Sequence, residues 1–170
     1  MTKFLTKAAL AATVATGLFA TPALAADTER FTATARIVSP LALTKIVDLN
    51  FGTITKLPGL VSSGVSVGRV GGGANVCGAN LNCTAPTPAR FSVSGSVGQG
   101  LTVTTSPLAV LTSGLNTVDF VIDAPTAVAL AGPGASAGTV SFEIGGTITV
   151  VTATADGTYT GDVDVTVEYS

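Results

Sequence analysis

The sequence predicts an all-β fold, either a sandwich or a barrel, and three observations support this prediction. Short apolar runs are separated by glycine and proline and do not recur with the helical period of 3.6 residues. The composition, with 20 glycines, no Trp and 5% aromatic residues, is typical of many short strands joined by turns. Residues 162–169 alternate between polar and apolar side chains, as a strand with one dry face requires.

The strands are predicted in order from alternating or continuous apolar residues. Gly98-Gln99-Gly100, Gly145-Gly146 and Asp156-Gly157 predict turns, while residues 71–88 and 131–138 predict loops. No segment after residue 25 has a helical pattern, and we find neither a repeat nor a linker. The predicted strands lie at residues 31–37, 41–46, 49–54, 59–70, 91–97, 101–103, 118–122, 140–144, 148–150 and 163–169.

The first 25 residues have the three parts of a secretory signal peptide. Lys3 and Lys7 give a positive start, residues 8–20 are apolar or small, and Ala23-Leu24-Ala25 forms a cleavage site. The alternative is an N-terminal membrane anchor, but the apolar run is too short to span a bilayer. The sequence therefore predicts a signal peptide over 1–25 and one β-sandwich domain over 26–170. Its location is predicted to be the periplasm, the cell surface or the medium, without membrane insertion after cleavage.

The charge distribution argues against nucleic acid as a partner. The net charge is −2, and loss of Lys3 and Lys7 with the signal peptide makes it −4. No basic residue follows Arg90, whereas acidic residues continue to Glu168. Binding of phosphates requires clustered Lys and Arg, which this chain lacks.

Two cysteines lie close together in the predicted loop over 71–88. Cys77 and Cys83 occur in VCGANLNC, and in an exported protein this spacing favours a disulfide. The alternative is a metal or redox pair. Two thiols without any His make a poor metal site, and the spacing is not C-x-x-C.

The residues that usually carry enzyme chemistry are missing from this sequence. There is no His, which removes Ser-His-Asp and Cys-His activation and histidine metal sites. Carboxylate pairs remain, Asp119 with Asp123 and Asp162 with Asp164, from which a glycosidase pair or a calcium site could be drawn. Their alternation with apolar residues favours solvent-facing positions instead. We therefore predict no catalytic residues, no cofactor and no metal.

Several motifs resemble a family of exported bacterial β-domain proteins that is catalogued as a domain of unknown function. These motifs are DLNFGTI, ARFSVSGSVGQGLTV, FEIGGTITV and GTYTGDVDVTVEY, and they are spread over the chain from residue 48 to residue 169. This resemblance implies an exported β domain and little biochemistry.

The terminal segment also resembles pilins of the chaperone–usher class, including the spore-coat-U-like group. Tyr169 is next to last and Gly157 is fourteenth from the end, as in those subunits. The resemblance implies an immunoglobulin-like sandwich that lacks its final strand. It also implies a periplasmic chaperone and an outer-membrane usher as partners, and self-association into a fibre by strand donation. The terminal-strand interaction motif would comprise Gly157, Tyr159, Val163, Val165, Val167 and Tyr169.

The candidate donor strand lies near the mature N-terminus, at Phe31, Ala33, Ala35 and Ile37. Two interpretations remain open, because residues 31–37 could donate to another subunit or form the domain's own first strand. In the second case only residues 26–30 would be left to donate. The cysteines also depart from the pilin pattern, since both lie in one mid-chain loop.

The function predicted from the sequence is a non-enzymatic structural subunit of a surface fibre or pilus. One alternative is a self-contained secreted or outer-surface β domain whose terminal strand is paired internally. Another is a carbohydrate- or protein-binding module, but the absence of Trp argues against stacking on sugars.

Overall fold

A computed structural model describes residues 27–106, 108–131 and 138–170. The signal peptide predicted over 1–25 and the mature start at Ala26 lie outside these residues. Residues 36–170 form one compact unit, and every strand of the described residues lies in it. The described part contains no helix, so the predicted all-β sandwich is confirmed. Accordingly, no described helix is long and apolar enough to cross a membrane.

Twelve strands occur within the described residues. Most begin or end at glycine, proline or a polar turn, and eight of them overlap a strand that the sequence predicts. Their bounds are β1 Ala42–Val47, β2 Thr53–Lys56, β3 Ser62–Val67, β4 Val76–Cys77, β5 Leu81–Thr84, β6 Ala89–Gly95, β7 Gly100–Thr105, β8 Leu108–Ser113, β9 Asn116–Asp123, β10 Ala127–Ala129, β11 Gly138–Val151 and β12 Val165–Tyr169.

The strands form three antiparallel sheets. The largest has the order β1-β6-β11-β3-β4, and β9 also pairs with β11 and carries β8 on its other side. A second sheet has the order β10-β7-β12, and the third is the pair β2-β5. Strands β1 and β12 therefore each lie at the end of a sheet. These two sheet ends form the walls of the site described below.

The hairpin turn predicted at Gly145-Gly146 is wrong. These glycines lie inside β11, which runs unbroken over 14 residues. The strand changes partners there, from β6 to β3 and β9. A Cβ on Gly146 would meet the Phe120 ring, and one on Gly145 would meet the Val67 carbonyl. The pair is therefore needed for close packing across the strand and not for a turn.

The predicted loop over 71–88 contains two short strands, β4 and β5, that the sequence analysis missed. Their cysteines form the expected disulfide between Cys77 and Cys83, with Cα atoms 5.8 Å apart. The bond joins the edge of the largest sheet to the β2-β5 pair. Strands this short are too short to show an alternation of polar and apolar side chains. Their formation depends on pairing with strands that are remote in sequence, β4 with β3 and β5 with β2.

The core consists of two apolar clusters that lie side by side. Leu49 and Ile122 pack against both clusters. The first cluster contains Leu60, Val65, Leu81, Val118, Phe120, Ile148 and Val150. The second contains Ala89, Val93, Leu101, Val103, Leu130, Phe142 and Ile144.

Candidate functional site: an open groove beside the terminal strand

The alternation predicted for the terminal strand is confirmed. Val163, Val165, Val167 and Tyr169 are half-buried, whereas the polar residues between them are exposed. The first of these packs on one core cluster and the other three on the second. None of the four is fully buried, because the strand is covered along only part of its surface.

Among the described residues, the terminal strand has a backbone partner on one side only. Strand β12 pairs antiparallel with β7, from Val165 opposite Thr105 to Tyr169 opposite Leu101. A bridge between Thr160 and Thr112 continues this pairing along β8. The other edge of β12 ends its sheet. Its outward N–H and C=O groups are therefore available to a further strand.

The opposite wall of the site is formed by β1 and the segment that follows it. Strand β1 pairs only with β6 within the described part of the chain and ends the largest sheet. Its side chains are all exposed, including the apolar Leu43 and Ile46, the latter at 52%. An exposed apolar strand at a sheet edge is normally protected, because it can pair with another chain.

A groove with apolar residues in its floor and charged residues at its rim separates these two walls. A cavity of about 840 Å³ extends from Lys45 on β1 to Val165 on β12, and its floor includes Phe120 and Ile144. A second cavity of about 430 Å³ continues towards Gly157. The two cavities share the side chains of Phe51, Leu111 and Tyr159.

Aromatic packing shapes the floor of the groove. Phe51 meets Phe120 edge to face, with ring centroids 5.7 Å apart, and Phe91 stacks on Phe142 at 5.5 Å. Phe120 and Phe142 are buried, but Phe51 and Phe91 remain half-exposed towards the groove. Core side chains thus stay in contact with solvent through a slot between two strand edges.

The hydroxyl of Tyr169, at the end of β12, makes two hydrogen bonds to the neighbouring sheet. Its Oη donates to the Ser39 carbonyl at 2.7 Å and accepts the Ser96 N–H at 2.8 Å. Gly95 allows this approach, since a Cβ there would collide with the Tyr169 hydroxyl. The tyrosine therefore ties the end of β12 to the segment just before β1.

The far end of the groove is formed by the bend that precedes the terminal strand. Tyr159 Oη donates to the Ala155 carbonyl at 2.9 Å. Gly157 lies beside Ser113, where a Cβ would contact the serine hydroxyl. Lys56 reaches across to the Thr154 carbonyl at 2.6 Å and to Asp156 at 3.2 Å. Of the predicted terminal motif, Gly157, Tyr159, Val163 and Val165 line the two cavities, while Val167 and Tyr169 continue β12 beyond them.

The candidate donor residues lie in a segment that we name the arm, residues 27–38. All of its side chains are exposed, with Phe31 at 88% and Ile37 at 94%, and none lies in a strand. The first strand of the domain is Ala42–Val47, so the alternative in which residues 31–37 form that strand is wrong.

The acidic residues considered for chemistry are engaged in structural contacts or exposed. Asp123 accepts from Arg69 Nε at 2.8 Å and from the Gly73 N–H at 3.1 Å, while Asp119 is exposed. A hydrogen bond from the Val70 N–H, followed by one from Arg90, lowers the pKa of Glu143. The described residues contain no group of three or more His, Cys, Asp or Glu side chains placed to hold a metal ion.

Sequence reasoning identified one wall of the groove and missed the other. It did not assign Leu49, Phe51, Phe91 or Leu111 to a site, although DLNFGTI was singled out as a motif. The available signal was that this motif places Leu49 and Phe51 among polar residues directly after a strand. The fact that these side chains stay half-exposed appears only in three dimensions.

These features define the class of the protein as an all-β sandwich domain with an open groove between two strand edges. The chain belongs to the family described as Domain of unknown function (DUF4402), whose model matches residues 41–169. The match begins just before β1 and ends at Tyr169, so it includes both walls of the groove and leaves the arm outside. No curated protein and no solved structure matches the chain.

Proposed function

We propose that this protein is a non-enzymatic structural subunit of a surface fibre or pilus, assembled by donation of a β-strand between copies. In this proposal residues 1–25 direct export, and the arm of one copy fills the groove of another. The pilin resemblance of the terminal segment adds a periplasmic chaperone, which would cover the groove before assembly, and an outer-membrane usher.

The observation that carries the proposal is the groove between the edges of β1 and β12. A strand placed there would pair with β12 on one side and lie against β1 on the other, while its inward side chains covered Phe51 and Phe91. Burying apolar area contributes about 25 cal/mol per Å². Main-chain hydrogen bonds would provide the pairing, and side-chain pockets would provide the selectivity.

The arm has the pattern and the length that this groove requires. Phe31, Ala33, Ala35 and Ile37 recur with period two, so an extended arm presents all four side chains to one side. Seven extended residues span roughly 20 Å at about 3.3 Å per residue. The stretch from Val163 to Tyr169 has the same number of residues, so a straight arm can follow the terminal strand along its apolar face.

The experiment removes the arm and supplies it again as a peptide. A mature chain lacking residues 26–36 should melt cooperatively, because β1 to β12 all lie beyond the deletion. A synthetic peptide with the sequence of residues 27–38 should raise its Tm. At a peptide concentration of 100 Kd the stabilisation is about 2.7 kcal/mol, which corresponds to about 10 °C for a domain of this size.

A scrambled peptide of the same composition is the control and should leave the Tm unchanged. Loss of folding that no peptide restores would contradict the proposal and favour the self-contained surface domain. The same conclusion would follow from a cooperative melt on which the arm peptide has no more effect than the scrambled one.

A further inference from the structure

The outer face of the terminal strand carries a row of negative charge next to the groove. Glu168 lies on β12, while Asp162 and Asp164 lie just before it and also border the larger cavity. All three side chains are exposed and alternate with the valines of this segment. No basic residue follows Arg90 in the sequence, so the terminal segment itself contains no counterion for them. A strand placed beside this segment would present its own outward side chains to that row.

The outward face of the arm has the complementary charge. Arg30 and Arg36 are exposed and have the opposite parity to Phe31 and its apolar partners. When the apolar side chains enter the groove, both arginines point outward. The two arginines are six residues apart, which is also the spacing between Asp162 and Glu168. One alignment can therefore form both ion pairs.

The direction of the arm follows from where it leaves its own domain. The Ser39 carbonyl is bonded to Tyr169 Oη, so the arm departs at the Tyr169 end of the groove. For copies to add head to tail, the donor's domain must lie at the opposite end, near Gly157. The arm then runs antiparallel to β12. A parallel arm would place the donor's domain at the Tyr169 end of the acceptor's groove, where the acceptor's own arm also departs. That is the geometry of a closed dimer in which two copies exchange arms.

We propose that the acidic face of the terminal strand fixes the register of an incoming arm from a second copy of this chain. Glu168 pairs with Arg30 and Asp162 with Arg36, and this inference depends on the strand donation proposed above. In this register Phe31 lies opposite Val167, and Ile37 lies opposite Gly161. Gly161 lines the larger cavity, so this alignment brings Ile37 to the cavity's edge.

The test measures binding of a fluorescently labelled peptide, residues 27–38, to the mature chain kept monomeric by dilution, using anisotropy. Replacing Arg36 by Glu in the peptide should weaken binding about fivefold, since an exposed cross-strand ion pair becomes a repulsion. Asp162→Lys in the chain should restore the affinity of this peptide. Glu168→Lys should restore that of the Arg30→Glu peptide. Asp119→Lys, an equal change of charge at an exposed position of β9, is the control and should restore neither.

The outcomes separate this inference from the function that it rests on. If the unaltered peptide does not bind, the proposed strand donation fails and the register fails with it. If it binds, but the Arg→Glu peptides bind equally well, the groove accepts the arm and the acidic face does not set its register. Rescue of the Arg36→Glu peptide by Glu168→Lys instead of Asp162→Lys would overturn the antiparallel direction. Salt should reduce the effect of each charge reversal between 50 mM and 500 mM, because the pairs are exposed.

Discussion

An arm peptide with Asp in place of Ala33 is expected to lose about a hundredfold in affinity for the mature chain. In the proposed docking, Ala33 lies on the face that enters the groove, so the substitution would place a carboxylate against the apolar floor without a partner. Burying an unpaired charge costs several kcal/mol. A loss of about 2.8 kcal/mol in binding free energy corresponds to a hundredfold increase in Kd. Anisotropy of the labelled peptide measures the change directly.

The matched control for this prediction is Thr32→Asp, which introduces the same charge one residue earlier. Thr32 points outward when Ala33 points inward, so its replacement should change the affinity only a few-fold. Equal losses from the two peptides would mean that the arm does not bind as a strand with one buried face. Such a result would contradict the docking geometry even if the unaltered peptide binds.

Val165→Asp is expected to destabilise the folded chain by about 2 kcal/mol. Val165 is half-buried, packs on the second core cluster and lines the larger cavity, so the new carboxylate would be placed against apolar side chains. Chemical denaturation of the mature chain, with the midpoint and the slope compared to the unaltered protein, gives the change in the free energy of unfolding.

Asp164→Asn serves as the neighbouring control. Asp164 is exposed on the other face of the same segment, so its substitution should change the free energy of unfolding by no more than about 0.5 kcal/mol. If both substitutions had the same effect, the assignment of the two faces of the terminal strand would be wrong.

The terminal strand and the disulfide could be predicted because their signals are local. The period of two between Val163 and Tyr169 determines which side chains face the core without knowledge of the partner strand. Cys77 and Cys83 are separated by six positions, so the sequence places each cysteine close to the other. Both predictions required only residues that are close together in the sequence.

The groove itself could not be predicted in the same way. Its walls are β1 and β12, which are more than a hundred residues apart in sequence, and it exists because no described strand lies between them. An absent neighbour leaves no periodic pattern in either wall. Gly145-Gly146 was misassigned for a related reason, since a local turn motif cannot reveal close packing against Phe120 and Val67.

The central claim, that the arm of one copy lies beside the terminal strand of another, is tested most directly by trapping the two strands with a disulfide. One mature chain carries Ala35→Cys and a second carries Val163→Cys, positions that the proposed register places opposite each other. Both native cysteines are already paired, so they leave no free thiol to compete. Mixing the two chains under mild oxidation should give a cross-linked species of twice the chain mass. Either chain alone should give much less of this species. The experiment is repeated with Val165→Cys and with Val167→Cys in place of Val163→Cys. Strand donation would be contradicted if none of these mixtures gave more cross-linked species than the separate chains do.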